Sequence, residues 1–448
     1  MPLLLGACAA PMAQPVASAD AARVPPAIAT SQPAPPAVHC CSSPTVWPDP
    51  PPPPTAEERE AAVKAARQPS APAGQLTVAE GNRAFALALY RQLAAKPGNV
   101  FISPISIAAA FGPVAAGARG KTRAEIGKVL HFPARDQVLN SNLGGLLHTL
   151  QSDGEGHQVS IANALWLSSR LPVEPSFVAM AKRSYDADVE TLDFAASGDA
   201  AARINNWVDR KTNSRIPQLF EPDAFSPDTV LAVTNAVYFL GDWQQAFDPR
   251  NTKLRPFHLP DGTTRQVPMM DGQVRAIYLG AGEVHPPADS VELLELPYKG
   301  DRLDMVIILP QTFDGLPAVE AGLTTEKLDK WLHDIDAAKP YSEPVHLPRM
   351  QFESSYELVD PLKALGMKTP FNGADFSGIS KTGTNIDTVV HKTFVKVDEN
   401  GTEAAAAAAI VVTTERDHWE FYANHPFLFL IRDKPTGAIL FMGRFAEP

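Results

Sequence analysis

Residues 398–417 read Asp398-Glu399-Asn400-Gly401-Thr402-Glu403, then an unbroken run from Ala404 to Ala409, then Ile410-Val411-Val412-Thr413-Thr414-Glu415-Arg416-Asp417. One strand candidate, 389–398, leads into this stretch and another, 421–431, follows it. About twenty residues with no turn signal after Gly401 is longer than most connections in a folded body and marks a functional loop. A strand that enters a sheet buries alternate residues, and here those are Thr402, Ala404, Ala406, Ala408 and Ile410, none charged and none proline. Six alanines are equally the composition of a helix or of low-complexity sequence, so the tract alone leaves the fold open.

The surrounding chain narrows the choice. Further strand candidates lie at 160–168, 187–193, 228–240, 291–297, 303–309, 345–353 and 438–445. Apolar residues at helical spacing predict helices at 76–95, 176–185, 199–211, 324–334 and 359–366. Thr122 and Glu125 have the spacing of a capping box opening a helix at 122–130. Early helices followed by many strands, without regular βαβ alternation, predict an α+β body with large, mixed, mostly antiparallel sheets and surrounding helices. Met305–Leu309 and Phe427–Ile431 are apolar on both faces, so they are expected at the centre of a covered sheet.

Of the 43 prolines among 448 residues, 17 fall in the first 75, which divides the chain into three parts. Residues 1–10 resemble a signal segment, residues 11–75 form a Pro/Ala-rich stalk expected to be disordered, and residues 76–448 form the folded domain. Leu5-Gly6-Ala7-Cys8 resembles a bacterial lipobox, which would place lipid on Cys8 and tether the body to a membrane. No Lys or Arg precedes the run, so a cytoplasmic protein with an apolar start is the alternative; export to the periplasm or cell surface, or secretion, is preferred. Cys8, Cys40 and Cys41 are the only cysteines, so the body can form no disulfide, although Cys40 and Cys41 could pair between molecules. A net charge of −11 without a Lys/Arg block excludes nucleic acid as the expected partner.

Catalytic signatures are missing from the sequence: it has no G-x-S-x-G elbow, no H-E-x-x-H pair and no cysteine nucleophile in the body. No metal and no cofactor are expected, and the protein is not read as an enzyme. Gly120-Lys121-Thr122 resembles the end of a phosphate loop, but Ala115 stands where that loop needs glycine and no apolar strand leads into it.

A set of motifs in order along residues 76–447 decides the matter. Asn99-Val100-Phe101-Ile102-Ser103-Pro104-Ile105-Ser106 is similar to the N-terminal signature of the serpin family, and Gly117 to Thr122 follows it at the expected place. Thr234-Asn235-Ala236-Val237-Tyr238-Phe239, leading to Trp243 and Phe247, resembles the family's central strand and breach tryptophan. His391 lies ten residues before Gly401, as the shutter histidine does, and Phe421 to Pro426 with Gly443-Arg444-Phe445 resembles the closing signature. The resemblance implies the serpin fold with an exposed reactive-centre loop whose hinge comprises Glu399, Gly401, Thr402, Glu403, Ala404, Ala405, Ala406 and Ala407. It also implies a shutter and breach at Ser103, Ser106, Asn235, Trp243 and His391.

The activity it implies is inhibition of serine proteases, as a monomer, by a suicide-substrate mechanism in which the loop is cleaved, enters the main sheet and traps the acyl-enzyme. The family's spacing, counted from Gly401 and from Pro426, places the scissile bond at Glu415-Arg416 and the target among glutamyl-specific proteases. A shift of one residue would make Arg416 the bait for a trypsin-like protease, and Asp417 ranks third. A non-inhibitory serpin with a binding or chaperone-like role is the alternative function.

Overall fold

The two doubly apolar runs become central, fully buried strands, as their composition requires. The computed structural model describes residues 71–151, 156–280, 287–402 and 420–448. In chain order these form α1 (Ala73–Leu93), β1 (Val100–Ile102), α2 (Pro104–Gly117), α3 (Gly120–Val129), α4 (Asp136–Leu150) and β2 (His157–Ser168). Next come α5 (Pro175–Tyr185), β3 (Asp188–Leu192), α6 (Ser197–Lys211), β4 (Leu231–Asp242), β5 (Lys253–His258), β6 (Thr264–Leu279), β7 (Val291–Pro297) and β8 (Leu303–Pro310). Then follow α7 (Leu316–Gly322), α8 (Thr325–Ala337), β9 (Tyr341–Pro348), β10 (Met350–Glu357), α9 (Val359–Ala364), β11 (Thr388–Asp398) and β12 (Gly401–Thr402). The chain closes with β13 (Phe421–Tyr422), β14 (Phe427–Asp433) and β15 (Ala438–Phe445).

The strands make a nine-stranded sheet, ordered β1-β15-β14-β8-β7-β6-β9-β13 with β5 beside β6, and a six-stranded sheet, ordered β10-β11-β12-β4-β2-β3. This is the α+β architecture expected from the sequence. One face of the six-stranded sheet meets the main core, where β4 contributes Val233, Val237 and Phe239. The other face is small, with Ala162, Ala164, Ala232 and Ala236 packed in a second cluster beneath α6. There Trp207 of α6 meets Trp166 edge to face at 5.6 Å.

Several local expectations need correction. The capping box is not formed: the helix begins at Gly120, Thr122 Oγ1 accepts from the Asp375 amide, and the Glu125 carboxylate accepts from the Lys368 and Thr369 amides. Both side chains tie the helix to a distant loop instead of closing its own first turn. The strand expected over 421–431 is two strands, separated around Pro426, and that over 345–353 is parted at Arg349 between β9 and β10. Helix α2 has no 3.6-residue period in its sequence because nearly all its residues are buried and apolar. The prolines Pro256 and Pro268 obscured β5 and β6.

Candidate functional site

In the six-stranded sheet β11 and β4 run parallel and pair from Thr388↔Ala232 to Thr393↔Val237. Midway in that ladder His391 stands opposite Asn235, and Asn235 stands opposite Asn163 of β2. The three residues form one buried polar line across the sheet. The Ser103 amide donates to His391 Nε2 at 3.0 Å, so the imidazole proton sits on Nδ1 and donates to Asn235 Oδ1 at 2.6 Å. Asn235 Nδ2 then donates to Ser106 O at 3.0 Å, to the Ser106 hydroxyl, and to Asn163 Oδ1 at 2.7 Å. Ser103 Oγ donates to Leu440 O at 2.6 Å, joining the line to the nine-stranded sheet. Complete burial pushes the His391 pKa down to about 3, which keeps the imidazole neutral and able to accept from Ser103.

Above this clasp the two strands part. The next rungs, around Phe394–Lys396 and Tyr238–Leu240, show no pairing between β11 and β4, and then β12 fills the space. Gly401 and Thr402 pair antiparallel with Asp398 and Val397 on one side and with Asp242 and Gly241 on the other. The first two residues of the long loop are therefore already a strand of the sheet. Gly401 is required there: its φ is +150°, and a Cβ would stand 1.9 Å from the Gly241 carbonyl oxygen. Thr402 is buried, and its hydroxyl pairs with Tyr298 Oη at 2.7 Å.

The turn that delivers β12 is held from three directions. Trp243 stacks on Tyr298 at 4.7 Å and donates from Nε1 to Asp398 O at 3.0 Å, while its backbone amide donates to Asn400 O at 2.8 Å. The Phe247 amide donates to Glu399 O at 2.8 Å. Arg349 grips the Glu399 carboxylate through Nε at 2.8 Å and Nη2 at 2.6 Å, and the Thr252 hydroxyl adds a further bond. Burial pushes this carboxyl up, but the Arg349 and Thr252 bonds outweigh it and hold the pKa below the ordinary range.

A family model described as serpin (serine protease inhibitor) matches residues 80–448. The chain belongs to the serpin family. A serpin-like protein of Thermococcus kodakarensis is 40% identical over 81% of this chain and 84% of its own length. The leukocyte elastase inhibitor of Sus scrofa is 37% identical over 82% of this chain and 98% of its own. Human thyroxine-binding globulin, crystallised with thyroxine, superposes with a TM-score of 0.77 at 26% identity, covering 84% of this chain and 100% of that one. The family thus embraces protease inhibitors and a hormone-binding member, and its inhibitors bait proteases without being catalysts.

Among the predicted positions, Ser103, Ser106, Asn235 and His391 of this serpin meet in one network, and Trp243, Glu399, Gly401 and Thr402 meet in a second. Glu403, Ala404 to Ala407, Glu415, Arg416 and Cys8 lie outside the described residues. Asn163, Gly241, Tyr298 and Arg349 were missed. Each acts through register or a tertiary contact, and a lone Tyr before Lys299-Gly300-Asp301 or an Arg between two strands carries no sequence signal of its own.

Proposed function

We infer that this serpin inhibits serine proteases as a suicide substrate, with Glu415-Arg416 as the scissile bond. The supporting observation is β12, whose register gives a track for the rest of the loop. Continued down the gap, that register sets Ala404 opposite Phe239 and Val395, and sets Ala408 opposite both Asn235 and His391. Thr402 faces the core and Tyr298, so Ala404, Ala406, Ala408 and Ile410 would follow on the same face. Large core residues already line that face, so alanine is the side chain that fits.

In the inferred mechanism the protease's serine attacks the carbonyl carbon of Glu415, the Glu415-Arg416 bond breaks, and the amine of Arg416 leaves with a proton supplied by the protease's own acid–base group. The acyl ester remains on Glu415. Freed from its downstream anchor, the loop then enters the sheet and carries the attached protease with it. About ten to fifteen residues gaining roughly 1 kcal/mol each in ladder bonds would release on the order of 10 kcal/mol before ordering costs. The uncleaved form is then a kinetic trap, closed at His391 and Asn235.

Incubation with a glutamyl endopeptidase and with trypsin tests this reading. It predicts a complex with the former that survives denaturing gels, and complexes with trypsin alone would assign the bait to Arg416. Rapid loop cleavage by both, with no complex, would favour a non-inhibitory binding role, for which the likeness to thyroxine-binding globulin speaks. The same reading keeps a monomer, a stalk over 11–75 and a lipid tether on Cys8; mass measurement of the exported protein tests the tether.

A further inference from the structure

A cavity of about 610 Å³ opens between α4 and the end of α5, with Asn140, Gly144, Gly145 and His148 on one wall and Arg183 and Asp186 on the other. Its floor is closely packed. A Cβ on Gly144 would stand 2.3 Å from Ser184 O, and one on Gly112 of α2 would stand 2.2 Å from the Tyr185 ring. Tyr185 Oη donates to Asn140 Oδ1 at 2.5 Å. The helices already touch there, so they cannot draw together to fill the space beside the contact. The charges of the rim are uneven. Asp186 pairs with Lys182 at 2.6 Å, whereas the exposed side chains of Arg183 and His148 make no hydrogen bond or ion pair among the described residues. One wall therefore offers an unbalanced guanidinium, a group suited to a carboxylate.

The N-terminal end of the described chain meets the same wall. A Cβ on Gly74 would lie 2.3 Å from Asn142 Oδ1, and one on Gly145 would lie 3.1 Å from Gln75 Nε2, so the first turn of α1 rests on α4. Gln75 Oε1 is buried at this contact without a hydrogen-bond partner among the described residues, an acceptor open to a further donor. The sequence just upstream is unlike the rest of the stalk. Ala56–Gln68, between Pro54 and Pro69, holds neither proline nor glycine, and its Glu57, Glu58 and Glu60 are the only glutamates before Glu80. Small residues follow at Ala61, Ala62, Ala65 and Ala66, with donors at Lys64 and Arg67. From Glu60 to Ala71 the chain can reach about 35 Å, well beyond the width of a cavity of this volume.

We propose that this groove seats the last part of the stalk, Ala56–Gln68 of the same molecule, with its glutamates against Arg183 and its alanines beside Gly144 and Gly145. The stalk would then leave the body at α4 and α5, and the position of the tether would be set by the body itself. Amide exchange on the full-length protein tests this. Corrected for intrinsic exchange, the amides of Ala61 to Arg67 should be protected at least tenfold, roughly the protection of a weakly docked segment. Arg183→Glu should cut that protection about fivefold, the size of one exposed ion pair, and adding Glu57→Arg, Glu58→Arg and Glu60→Arg to it should restore most of the loss. Arg183 is exposed, so the variant should fold. Exchange at intrinsic rates in the wild type would overturn the proposal, as would protection that Arg183→Glu leaves unchanged. Protection that grows with protein concentration would assign the groove to the stalk of a second molecule and overturn docking within one chain. No protease enters the measurement, and the result stands apart from the inhibitory reading.

Discussion

His391 of β11 and Asn235 of β4 stand opposite each other in a parallel ladder, joined by a 2.6 Å bond from Nδ1 to Oδ1, at the rung where an entering strand would have to part them. The bond is one contact in a network of buried groups that also takes in Ser103, Ser106 and Asn163. Such a network is strong while complete and costly when broken, because each freed group is left without water. It can therefore hold the sheet shut without a covalent link.

Acid should weaken this clasp. The folded pKa of His391 is depressed to about 3, well below the 6.5 of an unconstrained histidine. A depressed value means that the neutral form is favoured in the fold, so its stabilising contribution is complete above pH 6.5 and declines as pH falls toward 3. The full difference is on the order of 5 kcal/mol. The denaturant midpoint for loss of native tryptophan fluorescence should fall across that window. In a folded His391→Gln variant the fall should be smaller, from a lower starting point.

The turn before the loop depends on Glu399, whose carboxylate is buried against Arg349. Glu399→Lys would set two cations face to face in that place, remove the acceptor of the Thr252 hydroxyl, and loosen the turn whose backbone carbonyl takes the Phe247 amide. A loss of about 3 kcal/mol in the hinge region is expected. Amide exchange at Trp243 and Phe247, the two donors to this turn, should accelerate by at least tenfold, with little change at β14.

Tyr298 should matter as much as the hinge residue it holds. Tyr298→Phe removes one partner of the Thr402 hydroxyl while keeping the ring stacked on Trp243, at a cost of about 1 kcal/mol. Thr402→Arg, by contrast, places a charge where the next strand must start. On the inhibitory reading proposed above, the variant should act as a substrate: on protease gels the cleaved chain should grow at the expense of the complex.

If the loop entered the sheet in the register of Gly401 and Thr402, Ala408 would come between His391 and Asn235. Ala408→Leu should leave the resting protein unaltered in its denaturant midpoint and stop insertion at the clasp, since overpacking of a dense core costs about 1–3 kcal/mol. Complexes with the protease should form and then decay faster than those of the wild type.

Much of this arrangement was legible in the sequence. Strands apolar on both faces, such as Phe427–Ile431, announce their central place by composition alone. What stayed hidden depends on register. Nothing in the sequence couples Tyr298 to Thr402, or Arg349 to Glu399, because those contacts join residues 104 and 50 positions apart. Thr122 and Glu125 show the opposite failure, a valid local motif overridden by tertiary partners.

Cleavage of the loop, followed by a thermal melt of the nicked but intact chain, tests the central claim most directly. If the segment after Thr402 enters the sheet, its added ladder bonds, on the order of 10 kcal/mol before ordering costs, should raise the melting temperature by up to about 13 °C over the uncleaved protein. A nicked chain that melts at or below the temperature of the uncleaved one, with both fragments still associated, would contradict insertion and the inhibitory mechanism built on it.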